Sequence, residues 1–319
     1  LALGAAALLL GGLLQAQTVP GPDDFEARRF ALILGANDGG RGRSTLRFAL
    51  SDARAVRAVL LELGGVLPDD GKLLEQPDRA GVLRELQELG EKLNRIRPRF
   101  RRIEALFYYS GHSDEENILL GNEKISYEEL RTAITAMNAD LRIAILDSCA
   151  SGAFTVPKGV IKRSPFLVDA AYDMKGYAFL TSSSADEAAQ ESRRLQGSFF
   201  THNLVSALRG AADWNLDGRI TLTEAYQFAF DETLAQTEKT TSGPQHPNYH
   251  IQMSGRGDVI ITDINQSGAL LTLNGDIGGR FFIHNRANVL VVELGKPDGR
   301  EITVGLEEGT YRLTAVSGN

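Results

Sequence analysis

Cysteine is nearly missing: of 319 residues only Cys149 carries a thiol. That excludes an intrachain disulfide framework and any zinc site built from cysteines. Basic charge is in short supply too. Lys and Arg number 34 against 41 Asp and Glu, a net charge of −7, which is the wrong sign for a nucleic-acid footprint. No Gly-x-Ser-x-Gly elbow occurs, which disfavours a serine hydrolase of that type. The Gly39-Gly40-Arg41-Gly42 run lacks the lysine and Ser/Thr of a phosphate loop, and no motif calls for an organic cofactor. What remains, 43% apolar and 24% charged residues, is the composition of a soluble globular protein. At about 150 residues per domain the length suits one large domain or two ordinary ones.

Long hydrophobic runs are also scarce. Residues 1–14 contain only Leu, Ala and Gly, and the first charged residue is Asp23. Such a run is short of the ~20 residues of a membrane span and suits a signal-peptide core. Leu14-Gln15-Ala16 offers a small-residue cleavage site, and Pro20, Gly21 and Pro22 follow. The expectation is a leader over residues 1–17 and an exported protein, periplasmic or extracellular, with no stable membrane insertion once the leader is removed. The alternatives are a retained anchor or a buried apolar helix. In an oxidising compartment an unpaired cysteine is a liability unless buried or used.

From Phe30 onward short apolar runs alternate with amphipathic stretches. Strands are predicted at 30–35, 72–75, 103–109, 141–146 and 176–181. Helices are predicted at 46–63, from Asp78 to about Asn94, and at 127–137 behind Ser126. This alternation predicts an α/β fold, a mainly parallel sheet flanked by helices. After about Asp263 the chain turns β-branched and glycine-rich, predicting a small β module over 266–319. Ligands in parallel sheets sit at the carboxyl ends of strands. Two loops there carry unusual residues: Ser110-Gly111-His112-Ser113-Asp114 and Asp147-Ser148-Cys149-Ala150-Ser151-Gly152. A nucleophilic cysteine needs a thiolate, an imidazole and backbone donors for an oxyanion. The competing reading is a buried cysteine and a surface histidine.

Tyr108-Tyr109-Ser110-Gly111-His112 and Leu146-Asp147-Ser148-Cys149-Ala150-Ser151-Gly152 resemble the histidine and cysteine motifs of the caspase-like peptidases, especially their bacterial and metacaspase-type branch. The resemblance runs over residues 28–263. It takes in Asp52-Ala53, Thr181-Ser182-Ser183-Ser184 through Glu191, Phe199-Phe200-Thr201 and Gln245-His246-Pro247. It implies a caspase-haemoglobinase-like fold and a cysteine endopeptidase acting on polypeptides. Cys149 would be the nucleophile, His112 the general acid/base, and the backbone N–H groups of Cys149 and Ser113 the oxyanion donors; the family usually has glycine at the latter position. Asp147 stands where metacaspase-like members carry an acidic residue in the pocket for the P1 side chain. A carboxylate there favours Arg or Lys at P1, and Asp186 and Asp38 are candidates to add to it. Arg41, Arg43 and Arg47 support the opposite preference, an acidic P1. Lys158, Lys162 and Arg163 are candidate self-processing sites, with a solvated loop as the alternative.

Residues 213–224 fit the twelve-residue calcium-loop pattern. Asp213, Asn215 and Asp217 alternate side-chain oxygens, Gly218 permits the turn, Arg219 offers its carbonyl, Thr221 an oxygen, and Glu224 both carboxylate oxygens. Helices are predicted on either side, at 199–209 and 223–235. The competing reading is an Asx-rich turn capping a helix. No second such loop occurs, although they normally pair. His246 and His250 have a metal-like spacing, but Pro247 and Asn248 disfavour a helical ligand pair. The sequence leaves the oligomeric state open, and a non-catalytic, calcium-stabilised binding or scaffold protein is the competing class.

Overall fold

The computed structural model describes residues 27–149, 151, 154, 175–184, 187–255 and 257–316. The expected leader, Asp186, Lys158, Lys162 and Arg163 lie outside the described residues. Strand β1 (Ala27–Ala36) leads to helix α1 (Ala49–Glu62), then β2 (Val66–Glu75), α2 (Arg79–Ile96) and β3 (Arg102–Gly111). The short hairpin β4 (Asn117–Leu120) and β5 (Glu123–Ser126) precedes α3 (Tyr127–Thr135) and β6 (Leu141–Asp147). The start signals act as their chemistry demands: the Asp78 carboxylate accepts the Gly81 N–H at 2.7 Å, and Ser126 Oγ accepts that of Glu129 at 3.1 Å.

Beyond β7 (Lys175–Thr181) a minimal hairpin, β8 (Glu191–Ser192) and β9 (Gly197–Ser198), leads into α4 (Phe199–Ser206). Then follow β10 (Arg219–Thr221), α5 (Leu222–Thr237), β11 (Asn248–Ser254) and β12 (Ile260–Asp263). The main sheet has six strands in the order β11-β7-β6-β3-β1-β2. All neighbours pair in parallel except β11, which runs antiparallel to β7 at the edge. His250 thus lies on an edge strand. The fold class expected from the alternation is the one observed.

Period-two alternation sorts the sheet residues onto two faces. Phe30, Leu32, Leu34, Phe107 and Leu146 pack under α2 and α3. Ala31, Ile33, Leu106, Tyr108, Ile143 and Leu180 face the other way, toward α1, α4 and α5. All ten residues of β3 are buried, as a central strand covered on both faces requires.

The last segment forms β13 (Ala269–Leu273), β14 (Gly279–Asn285), β15 (Leu290–Lys296), β16 (Ile302–Leu306) and β17 (Tyr311–Val316). β13 pairs with β16, and β14 lies between β15 and β17. Phe281, Ile283, Val292, Leu294 and Val304 belong to the same apolar cluster as α1, α4 and α5. Just after α4 the chain passes so close to this segment that a Cβ on Gly210 would stand 2.3 Å from the Thr303 carbonyl oxygen, and φ there is +116°. No helix among the described residues is long and apolar enough to cross a membrane.

Candidate active site

The register of β3 and β6 sets the geometry. They pair in parallel with Ser110 opposite Asp147. His112 and Cys149 each lie two residues further on, so both loops leave the sheet at one level on neighbouring strands. The Ser113 hydroxyl donates to the Cys149 carbonyl, joining the two loops. His112 and Cys149 line one narrow cleft with Leu46, Asp52, Asp147, Ala189, Glu191 and Ser198. Close packing leaves little space in it. A Cβ on Gly39 would fall 2.3 Å from the His112 ring, so glycine there lets the first loop press against the imidazole.

His112 Nε2 lies 2.9 Å from the Ser44 carbonyl oxygen. A carbonyl only accepts, so in the neutral ring Nε2 is the donor and Nδ1 the acceptor. The arrangement resembles a base oriented by a third group. The Cys149 Sγ is 3.9 Å from the Ala189 carbonyl oxygen. Burial raises the thiol pKa, and the charges of Asp147 and Glu191 push the same way.

Asp147 is the deepest acid of the cleft, 3% exposed. One oxygen accepts from the Ser198 hydroxyl and, at 2.5 Å, from Thr201 Oγ1. Tyr108 donates its hydroxyl to Thr201 Oγ1 at 2.6 Å, extending the chain. The other oxygen, Oδ1, is buried without a hydrogen-bond partner among the described residues. Asp52 joins it from α1, accepting the Ser198 N–H at 3.2 Å and the Ser110 hydroxyl at 3.3 Å. Burial raises the pKa of both carboxyls; the charge of Asp147 lifts Asp52 further, and Glu191 lifts both.

Asp38 is not in this cleft. It sits on the exposed loop after β1, where its carboxylate accepts the Gly40 N–H at 2.8 Å. Nor do the side chains of Arg41, Arg43 and Arg47 line the cleft. Arg47 and Phe48 instead give backbone N–H groups to the Glu191 carboxylate, at 3.1 and 2.9 Å. Asp52 and Glu191 were not singled out from sequence as specificity residues. The signal for Asp52 was an acid on the apolar stripe of α1, between Ala49 and Val56. Glu191 entered only as the end of a stretch carrying the family resemblance, and for the Ser44 carbonyl there was no signal. A roomier cavity of about 630 Å³ lies between α1, α4 and the C-terminal strands and meets the cleft only at Asp52; the chemistry-bearing residues belong to the narrower space.

In the 213–224 loop, Asp213 accepts the N–H groups of Asp217 and Gly218 at 3.2 and 3.0 Å. Asn215 accepts that of Asp217 at 2.9 Å, and Asp217 that of Arg219 at 2.8 Å. Leu216 and Gly218 take left-handed φ of 60° and 77°. Glu224 does not join these side chains. It forms a capping box with Thr221 at the start of α5. Among the described residues no three Asp, Glu, His or Cys side chains stand close enough to hold a metal ion. The loop strand β10 pairs with β12.

The mainly parallel α/β sheet thus brings a thiol and an imidazole to the carboxyl ends of adjacent strands. The family model of the caspase domain matches residues 28–256, and the chain belongs to that family. Among solved structures, the crystal structure of caspase-1 from Spodoptera frugiperda is similar in fold, with a TM-score of 0.52 and 11% identity over 76% of this chain and 93% of that one. No curated protein matches.

Proposed function

We propose that this protein is a cysteine endopeptidase that cleaves after Arg or Lys. The Cys149 thiol gives its proton to His112 Nδ1, and the thiolate attacks the scissile carbonyl carbon. The developing oxyanion accepts from the backbone N–H groups of Cys149 and Ser113. His112 then protonates the leaving amine, and water hydrolyses the thioester. Ser44 holds the imidazole in the tautomer this sequence needs.

The observation that carries the P1 preference is the acid-lined cleft beside Cys149, with Asp52, Asp147 and Glu191 and one unpartnered Asp147 oxygen. An unsatisfied buried polar group costs about 1–3 kcal/mol, more when charged. A guanidinium or ammonium that widens this narrow cleft on entering removes that cost and the repulsion among the carboxylates. Cleavage of fluorogenic peptides ending in Arg, Lys or Asp tests the reading. Turnover of the basic pair and its loss in Cys149→Ala are expected. Cleavage of the Asp peptide alone overturns the preference, equal turnover by Cys149→Ala overturns Cys149 as the nucleophile, and a wild type that cleaves none of the peptides favours a binding protein that keeps the fold.

A calcium ion at the 213–224 loop is part of the same proposal. Asp213, Asn215, Asp217, the Arg219 carbonyl, Thr221 and Glu224 would hold it, with Glu224 leaving its capping box. The support is the alternating oxygens and the left-handed turn at Gly218. Its role would be structural or activating, in an exported protein.

A further inference from the structure

Glu191 and Ser198, on the wall of the cleft, both belong to the β8–β9 hairpin. Its strands are two residues each, too short to fix a hairpin through ladder bonds. Side chains fix it instead. At its base Glu191 takes the N–H groups of Arg47 and Phe48, and Ser198 bonds both Asp52 and Asp147. At its tip Arg194 Nη1 donates to Glu293 Oε2 at 2.8 Å, and the guanidinium lies over the Phe282 ring, 5.7 Å from its centroid.

Glu293 is 1% exposed, on β15 of the C-terminal segment. Its other oxygen accepts from Arg280 Nε at 2.6 Å, and its own N–H donates to Ser206 Oγ of α4 at 3.1 Å. Arg280 also bonds Glu232 of α5 at 2.6 Å. Burial pushes the Glu293 carboxyl up, but Arg194 and Arg280 hold it below its ordinary value. An ion pair between two exposed ends contributes little; here one end is anchored inside the molecule and the other is the tip of a weakly laddered hairpin.

We propose that Glu293, acting through Arg194, is a positioning residue for the specificity cleft. The C-terminal β segment sets the depth of the 191–198 hairpin, and with it the place of Glu191 and the hold of Ser198 on Asp52 and Asp147. The inference rests on the basic-P1 reading above. It makes the segment after the caspase domain part of substrate selection.

The test uses the full chain with Arg194→Gln, Arg194→Lys and Glu293→Gln. It measures kcat and KM on an Arg-ended peptide, the rate of Cys149 alkylation by iodoacetamide, and the melting temperature. Displacing the hairpin should raise KM about tenfold in Arg194→Gln and Glu293→Gln. Alkylation should not fall below the wild-type rate, because moving Glu191 away removes one charge that opposes thiol ionisation, and Arg194→Lys should recover part of the loss. Unchanged KM in Arg194→Gln overturns the inference. So does a fall in kcat, alkylation and melting temperature together, which marks a merely structural contact. If Glu293→Gln does not fold, the half-exposed Arg194 position decides alone. Wild-type protein that cleaves no basic peptide overturns the cleft reading and this inference with it. Wild-type cleavage with silent variants overturns only the inference.

Discussion

At Cys149 two needs conflict. Attack requires a thiolate, yet burial raises the thiol pKa and the charges of Asp147 and Glu191 add to the effect. Both effects favour the neutral thiol, which is a slow nucleophile. A cation in the cleft removes part of the cause by offsetting those carboxylates, so a basic substrate would help ionise the group that attacks it. Alkylation of Cys149 by iodoacetamide should consequently rise with pH along a curve displaced above that of an ordinary cysteine. Saturating agmatine, which carries a guanidinium but no peptide bond, should move the curve to lower pH. Asp147→Asn should move it the same way while weakening cleavage of Arg peptides. A curve indifferent to agmatine would contradict a P1 cation beside Asp147.

At the scale of elements, whatever short-range pattern controls was legible in the sequence. The Asp78 and Ser126 caps start α2 and α3, and apolar runs became β1, β3 and β6 because full burial on both faces demands them. That His112 and Cys149 lie at neighbouring strand ends was legible because each follows such a strand within two residues. The β8–β9 hairpin was not, since two-residue strands carry no periodicity. Nor was Ser44, which acts through a main-chain oxygen that any residue possesses. Asp38 follows a strand just as His112 does, but its carboxylate reaches the Gly40 N–H first.

The 213–224 loop is the element whose pattern and conformation diverge, because a capping box at α5 satisfies Glu224 locally. Binding of calcium to the folded state alone would stabilise it by about 2.7 kcal/mol at a hundredfold excess over Kd. Millimolar calcium should therefore raise the melting temperature of wild type and leave Asp217→Asn unmoved. Absence of both a thermal shift and a calorimetric heat at millimolar calcium would remove the site.

Across the whole molecule, the caspase-type sheet and the C-terminal strands share one apolar cluster, and one of the polar contacts between them, the Arg194–Glu293 pair, lies a few residues from the cleft. His202 on α4 is 8% exposed, with Nε2 unpartnered among the described residues and 3.8 Å from Glu293 Oε2. Burial is the main reason its pKa falls from 6.5 to about 4; Arg194, Arg280 and His284 push the same way, and Glu293 opposes them. The folded state thus holds the imidazole neutral where the unfolded chain would take a proton. The stability this contributes is fully present above pH 6.5 and is lost as pH falls through about 4. The whole shift corresponds to on the order of 3 kcal/mol. Glu293, held below the ordinary carboxylate range, adds its own loss only at lower pH. Urea midpoints should therefore decline from pH 7 to pH 4 in wild type and decline less in His202→Gln. Arg194→Gln should also flatten the curve, because it removes one of the cations that keep His202 neutral. If His202→Gln declines as steeply as wild type, the pH sensitivity lies elsewhere, and the seam between the sheet and the C-terminal strands is not what acid weakens first.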